Sequence, residues 1–249
     1  MKHLYVANWK MNVSFDKSIS FCKNNHDALQ QISNNVAEIV ICPSFVAIAP
    51  IAEIFKNSPI AIGAQDCSEH ALGAYTGETS ALSLAEVGVT YCIVGHSERR
   101  IYYGETTETI IKKIYLLYAT NIMPIICIGE THEDFANKKT FNILTEQLNP
   151  ILTAINQQQE KRKEIIIAYE PVWAIGTGIT PTLEQLTTVF EWITKQTALQ
   201  LSGHTIHLLY GGSINQSNIA ELKKAPPING VFIGGASTDF EQFKKIITL

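Results

Sequence analysis

Short apolar runs, rich in β-branched residues, alternate along the chain with longer amphipathic stretches. The short runs are "HLYVANW" (3–9), "AEIVIC" (37–42), "IAIGAQ" (60–65), "YCIVG" (91–95), "MPIICIG" (123–129), "EIIIAYE" (164–170), "TIHLLYG" (205–211) and "GVFIGG" (230–235). They stay apolar at successive positions, as parallel strands covered by helices on both faces do. Helical periodicity predicts helices over 16–31, 106–119, 140–157, 182–201 and 239–247. Eight strand-like runs in 249 residues give about 31 residues per unit, the size of one βα module.

Several runs end on a polar residue or a glycine: Asn8, Gln65, Gly95, Gly129, Glu170, Gly211 and Gly234. Folds made of βα units present their chemistry from those ends. Thr106 with Thr109, and Thr182 with Gln185, mark helix starts, the second pair at capping-box spacing. No Pro/Gly/Ser-rich linker and no low-complexity tract interrupts the alternation. One α/β domain over 1–249 is expected, a single-domain (β/α)8 barrel. A doubly wound open sheet fits the same pattern, because periodicity does not show that the eighth strand closes on the first.

The composition is 46% hydrophobic and 17% charged, that of a globular chain with a large core. The formal net charge is -4 and no basic tail occurs, which argues against a nucleic-acid partner. The cationic "KRK" at 161–163 reads as a solvated loop before a strand. Five cysteines, Cys22, Cys42, Cys67, Cys92 and Cys127, stand singly, with no CxxC pair. Cys42, Cys92 and Cys127 fall in strand-like runs and read as core thiols. An odd, scattered count fits a reducing compartment. The N-terminal residues lack the apolar core of a signal peptide, and no segment reaches the ~18 consecutive apolar residues of a membrane span. A cytoplasmic protein is expected.

Several familiar patterns fail. No GxxxxGK[ST] phosphate loop occurs, and "GTGITP" puts Pro181 where a dinucleotide turn needs its last glycine. "HEDFA" at His132 lacks the second histidine of a zinc helix, and "GHSER" lacks the final glycine of a nucleophile elbow. No local pattern demands a metal or a cofactor. Four strand-end segments concentrate polar chemistry instead: "ANWK" with Asn8 and Lys10, "GHSERR" with His96, Ser97 and Glu98, "AYEPVWAIGTGIT" with Glu170, and the turns "YGGS" (210–213) and "IGGAS" (233–237). Taken alone, Lys10 would be a surface lysine and His96 a structural histidine. The two turns are more telling together. Each follows a late strand and opens toward a helix, where close-lying backbone N–H groups favour an anion. Barrels bind phosphate with the loops after strands seven and eight.

"ANWKMN", "GAQD", "GAYTGETS", "VGHSERR", "ICIGE", "AYEPVWAIGTG", "YGGS" and "IGGAS" resemble, in order and over nearly the whole chain, the triosephosphate isomerase family. The resemblance implies a barrel, a homodimer, no cofactor, and a place in glycolysis and gluconeogenesis. The implied reaction interconverts dihydroxyacetone phosphate and D-glyceraldehyde 3-phosphate through an enediol(ate). Carried onto this chain, it makes Glu170 the base that moves the proton between carbons. A carboxylate is a weak base in water, and a dry site strengthens it. His96 becomes a neutral imidazole that polarises the substrate oxygens, with a helix N-terminus disfavouring its cation. Lys10 becomes a fixed positive charge, and Asn8 a donor that also orients Lys10. Gly176, Ser213, Gly234 and Gly235 would offer backbone N–H groups to the phosphate. Glu98 would hold Lys10, with direct proton transfer as the alternative role. Cys127 would pack beneath Glu170.

The same resemblance makes residues 171–179 a lid. Pro171, Val172 and Trp173 form its first hinge, Ala174, Ile175, Gly176, Thr177 and Gly178 its tip, and Ile179 opens the second hinge. Here the chain departs from the family, which commonly has a lysine followed by Thr and Ala; this chain has Ile179, Thr180 and Pro181. Pro181 fixes its own φ and biases Thr180 toward extended geometry. The long polar loop "CSEHALGAYTGETS" (67–80), with Thr76, Gly77 and Glu78 at its tip, would dock beside Met11 and Asn12 of a second copy. Two other readings remain. A Schiff-base aldolase needs a lysine on a late strand, where this chain has Glu170. A barrel that only binds a phosphate or a partner would be expected to have lost Lys10, His96 or Glu170.

Overall fold

The eight apolar runs become strands because each buries both of its faces. They are β1 (His3–Asn8), β2 (Ala37–Cys42), β3 (Ala61–Ala64), β4 (Tyr91–Val94), β5 (Met123–Ile128), β6 (Glu164–Tyr169), β7 (Thr205–Gly211) and β8 (Ile228–Ile233). All neighbours pair in parallel, and β1 pairs with β8, with Tyr5 opposite Val231. The sheet is a closed barrel, which removes the doubly wound alternative. This computed structural model describes residues 2–158, 163–224 and 228–249. Of the "KRK" run, Lys161 and Arg162 lie outside the described residues, and Lys163 is exposed.

Ten helices surround the barrel among the described residues: α1 (Phe15–Asn35), α2 (Ile48–Ile54), α3 (Ala81–Glu86), α4 (Ser97–Tyr103), α5 (Thr107–Ala119), α6 (His132–Ala136), α7 (Thr140–Gln157), α8 (Leu183–Gln200), α9 (Ile219–Leu222) and α10 (Phe240–Ile247). None is long and apolar enough to cross a membrane. The Thr106 hydroxyl caps α5 by accepting from Thr109 N, and Thr182 with Gln185 forms a reciprocal capping box at α8. α1 runs on to Asn35, past the expected end at residue 31. The eighth strand begins at Ile228 and stops at Ile233, so Gly234 and Gly235 belong to the following turn.

Strand side chains alternate between two cores. Leu4, Val6, Val40, Ile93, Ile125, Cys127, Ile166, Ala168, Leu209 and Phe232 fill the barrel interior. Tyr5, Ala7, Ile39, Ile41, Val94, Ile126, Ile167 and Val231 face the helices. All five cysteines are free thiols and buried, as the strand readings of Cys42, Cys92 and Cys127 require. Inward parity runs to the ends of β1 and β7 and one residue beyond β5 and β6. It reaches Asn8 after Val6, Gly129 after Cys127, Glu170 after Ala168, and Gly211 after Leu209.

A buried charge cluster braces the early loops. Lys113 on α5 pairs with Asp66 at 2.7 Å and with Glu105, and Arg99 on α4 reaches Asp66 at 2.7 Å. Burial pulls the Lys113 ammonium down, but Asp66 and Glu105 outweigh it and hold it above its ordinary value. Burial also raises Asp66, against the pull of Lys113. Asp66 begins the long loop after β3, so the cluster ties that loop to α4 and α5.

Candidate active site

Inward parity brings Glu170 to the rim of the barrel, and two glycines make room for it. A Cβ on Gly129 would lie 1.9 Å from the Glu170 carbonyl oxygen, and one on Gly211 would lie 2.7 Å from its Cγ. No larger residue fits either place. Both glycines stand among the strand ends that present chemistry, yet what they supply is space. Glu170 N donates to Ile128 O at 2.8 Å, which anchors the residue to β5. Glu170 is 3% exposed, and its Oε2 has no hydrogen-bond partner among the described residues. Cys127 lies beneath it. Burial, and then the Glu170 charge, push the Cys127 thiol well above its usual value, so it stays protonated.

His96 enters from β4 as the N-cap of α4. The backbone N–H of Glu98 donates to His96 Nδ1 at 3.2 Å. A neutral imidazole so held carries its hydrogen on Nε2. Nε2 points at Glu170 Oε1, 3.4 Å away. Arg100 fixes the turn behind the imidazole by donating from Nε to Gly95 O at 2.9 Å. From β1, Lys10 extends its ammonium to Glu98 Oε1 at 2.5 Å. Its backbone N–H is taken by the Asn8 side chain at 3.1 Å.

A cavity of about 390 Å³ joins these groups. Lys10, His96 and Glu170 line it, together with Gly176, Ser213, Gly234 and Gly235. Among the described residues, none of the loop, turn or side-chain hydrogen bonds is donated by the backbone N–H of those four. An anion between these loops would satisfy them. Asn12 also lines the cavity, although the sequence reading places it only at a subunit contact. Met11, Thr76, Gly77 and Glu78 are exposed on the loops after β1 and β3.

Residues 171–179 are docked over this cavity. Val172–Ala174 form a 3-10 turn, and the Ser213 hydroxyl spans the tip, donating to Ala174 O at 2.7 Å and accepting from Gly178 N at 3.1 Å. At the first hinge, Trp173 stacks on Phe135 with centroids 4.4 Å apart and donates from Nε1 to Glu130 Oε1 at 2.9 Å. Tyr169 donates to the same carboxylate at 3.1 Å. Glu130 is fully buried and follows the strand signal "ICIG", which carries no hint of this duty.

The arrangement is a barrel-mouth site of the acid–base type. A carboxylate and an imidazole face each other, and an ammonium and the loops of Gly176, Ser213, Gly234 and Gly235 line the same cavity. Comparison with known proteins narrows this class. The profile of the triosephosphate isomerase family matches residues 3–249. Triosephosphate isomerases of Endomicrobium trichonymphae, Nitrosococcus oceani and Phocaeicola vulgatus are 41%, 40% and 39% identical to this chain. Those alignments cover 98–99% of this chain and 96–98% of the relatives. The chain belongs to the triosephosphate isomerase family.

Burial raises the Glu130 carboxyl above its ordinary value of 4.5, against the hydrogen bond from Trp173. The folded chain then holds this proton more tightly than the unfolded one. The carboxyl adds stability below the unfolded value and loses it as pH rises through the folded value. Measured by chemical denaturation, wild type should lose stability relative to Glu130→Gln as pH rises upward from 4.5. A pH-independent difference would contradict the assignment.

Proposed function

We propose that the barrel mouth interconverts dihydroxyacetone phosphate and D-glyceraldehyde 3-phosphate, with Glu170 moving the proton between the two carbons. The observation that carries this reading is the facing pair of Glu170 Oε1 and His96 Nε2, 3.4 Å apart on one cavity with Lys10 and the anion seat. The unpartnered Glu170 Oε2 takes a proton from the carbon next to the carbonyl. Negative charge then grows on the carbonyl oxygen. His96 Nε2–H donates to it, and Lys10 adds a fixed positive charge. Donors set in place beforehand cost no reorganisation as this charge develops. Glu170 returns the proton to the adjacent carbon, and the hydroxyl protons redistribute through His96. Asn8 and Glu98 hold Lys10 rather than move protons. Cys127 forms no bond to substrate, because carbonyl isomerisation needs no covalent step.

The phosphate sits against the N–H groups of Gly176, Ser213, Gly234 and Gly235. Binding energy gathered there is remote from the reacting carbons. The docked lid excludes water and protects the enediol(ate) from losing phosphate. In a coupled assay with glyceraldehyde 3-phosphate, Glu170→Gln should lower kcat/KM by roughly 10² to 10⁴-fold. Equal activity of the variant would remove Glu170 as the base, and an inactive wild type would overturn the reaction itself.

The second hinge sets the lid's timing. Ile179 is 57% exposed and Pro181 is buried immediately before the Thr182 cap of α8. Pro181 stiffens the point where the lid rejoins the barrel. Replacing Ile179→Lys and Pro181→Ala together should alter lid relaxation, read by NMR relaxation dispersion, while the chemical step survives. Unchanged relaxation would rule this out.

Two copies associate through the loops after the early strands. Met11 is 95% exposed, and Val46, Leu72 and Tyr102 are also large exposed apolar side chains there. Leaving so much apolar surface in water is unfavourable for a monomer. Thr76, Gly77 and Glu78 on one copy then meet Met11 and Asn12 on the other. The solution mass at micromolar concentration should be that of a dimer; a monomeric mass would defeat the claim.

A further inference from the structure

Gln65 follows β3 and has no part in the chemistry above, yet its side chain acts directly on Lys10. Lys10 adopts a left-handed backbone conformation, with φ of 51°. A residue with a Cβ avoids that region unless its surroundings impose it. Asn8 holds the Lys10 N–H, and Glu98 holds the ammonium. Neither constrains the Lys10 carbonyl. Gln65 does: its Nε2 donates to Lys10 O at 2.8 Å and to Cys42 O at 3.0 Å. Only the amide nitrogen can serve two carbonyl acceptors, so chemistry fixes the orientation of the group. Cys42 O also accepts from Trp9 N at 3.2 Å. The Gln65 side chain thus ties Lys10 to the end of β2, beside the backbone bond from Trp9.

The consequence lies at the Lys10 ammonium. The Lys10 stem runs past the turn after β8, where a Cβ on Gly234 would lie 3.8 Å from Lys10 Cε. Were the backbone to relax to negative φ, the Cα–Cβ bond would swing and the ammonium would leave this path between Glu98 and the anion seat. Asn8 Oδ1 could follow the N–H through such a change, and Glu98 is on a side chain that can move. The Gln65 bond to the carbonyl would break.

We propose that Gln65 is a positioning residue, which holds Lys10 in its left-handed conformation so that its ammonium stays between Glu98 and the anion seat. This rests on the isomerase reading for the role of Lys10. The test is a double-mutant cycle on kcat/KM with Gln65→Leu, Lys10→Met and both together, with melting temperatures recorded. Gln65→Leu should lower kcat/KM roughly 10- to 100-fold, the scale of a misplaced catalytic group. In the Lys10→Met background its further effect should fall within about twofold, because coupled residues do not add. The same fold-loss in both backgrounds, or a wild-type rate for Gln65→Leu, would overturn the proposal.

Gln65→Glu keeps the shape but turns an oxygen toward the two carbonyls. It should behave as Gln65→Leu does, and it decides the cycle if the leucine variant does not fold. The cycle is also read on the dissociation constant of inorganic phosphate, which needs no turnover. There Gln65→Glu should weaken binding in the wild-type background and not with Lys10→Met; equal weakening in both would overturn the proposal. A wild type that binds phosphate but does not isomerise the triose phosphates would defeat the reaction, while the phosphate cycle would still decide Gln65.

Discussion

The mouth of this molecule depends on the hydrogen bonds between β1 and β8 that close the barrel. Tyr5 opposite Val231, and Val6 opposite Phe232, bring residues over two hundred positions apart into one layer. Trp9 adds a second tie across the same seam, donating from Nε1 to Ser237 O at 3.1 Å. With the ring closed, strand parity decides which side chains point inward at the rim. Asn8 and Glu170 arrive by that parity, and Gly129 and Gly211 leave the space Glu170 occupies. An open sheet made of the same strands would leave Lys10 far from Gly234 and Gly235.

At this rim Lys10 and His96 are held by a shared partner. Glu98 takes the Lys10 ammonium with its side chain and the His96 ring with its backbone N–H. One residue thereby orients two others. Beneath the early loops, Lys113 compensates two carboxylates, and Arg99 makes a second ion pair with Asp66. Buried ion pairs are weak contributors to stability, because desolvation offsets their attraction. Here their geometric effect is clearer: they join the loop after β3 to α4, which carries His96 at its N-terminus.

Much of this was legible in the sequence, for physical reasons that can be named. The apolar runs from Ala37 to Cys42 and from Thr205 to Gly211 coincide with their strands, because strands buried on both faces carry an unbroken signal. The helix at Thr140–Gln157 and the capping box at Thr182 are local in sequence and equally readable. The two glycine turns, read from the sequence as one place of concentrated backbone chemistry, line the same cavity. The early short helices, such as α4, carry little periodicity. Glu130, Lys113 and the Gln65 clamp escaped because each has a partner distant in the chain: Tyr169 lies 39 residues from Glu130, Asp66 47 from Lys113, and Lys10 55 from Gln65. Gly129 and Gly211 stood out as strand ends, but only the packed structure shows that they serve Glu170 by being small.

In the proposed reaction a carbon-bound proton passes to and from Glu170 in a mouth covered by residues 171–179. Conversion of dihydroxyacetone phosphate in deuterium oxide, with the product examined by NMR, tests that claim most directly. A proton held on a carboxyl can exchange with solvent before it is returned, so glyceraldehyde 3-phosphate should carry deuterium at the carbon next to its aldehyde. Product that keeps all of its original hydrogen at every turnover would contradict it and point to direct transfer of hydrogen between the two carbons.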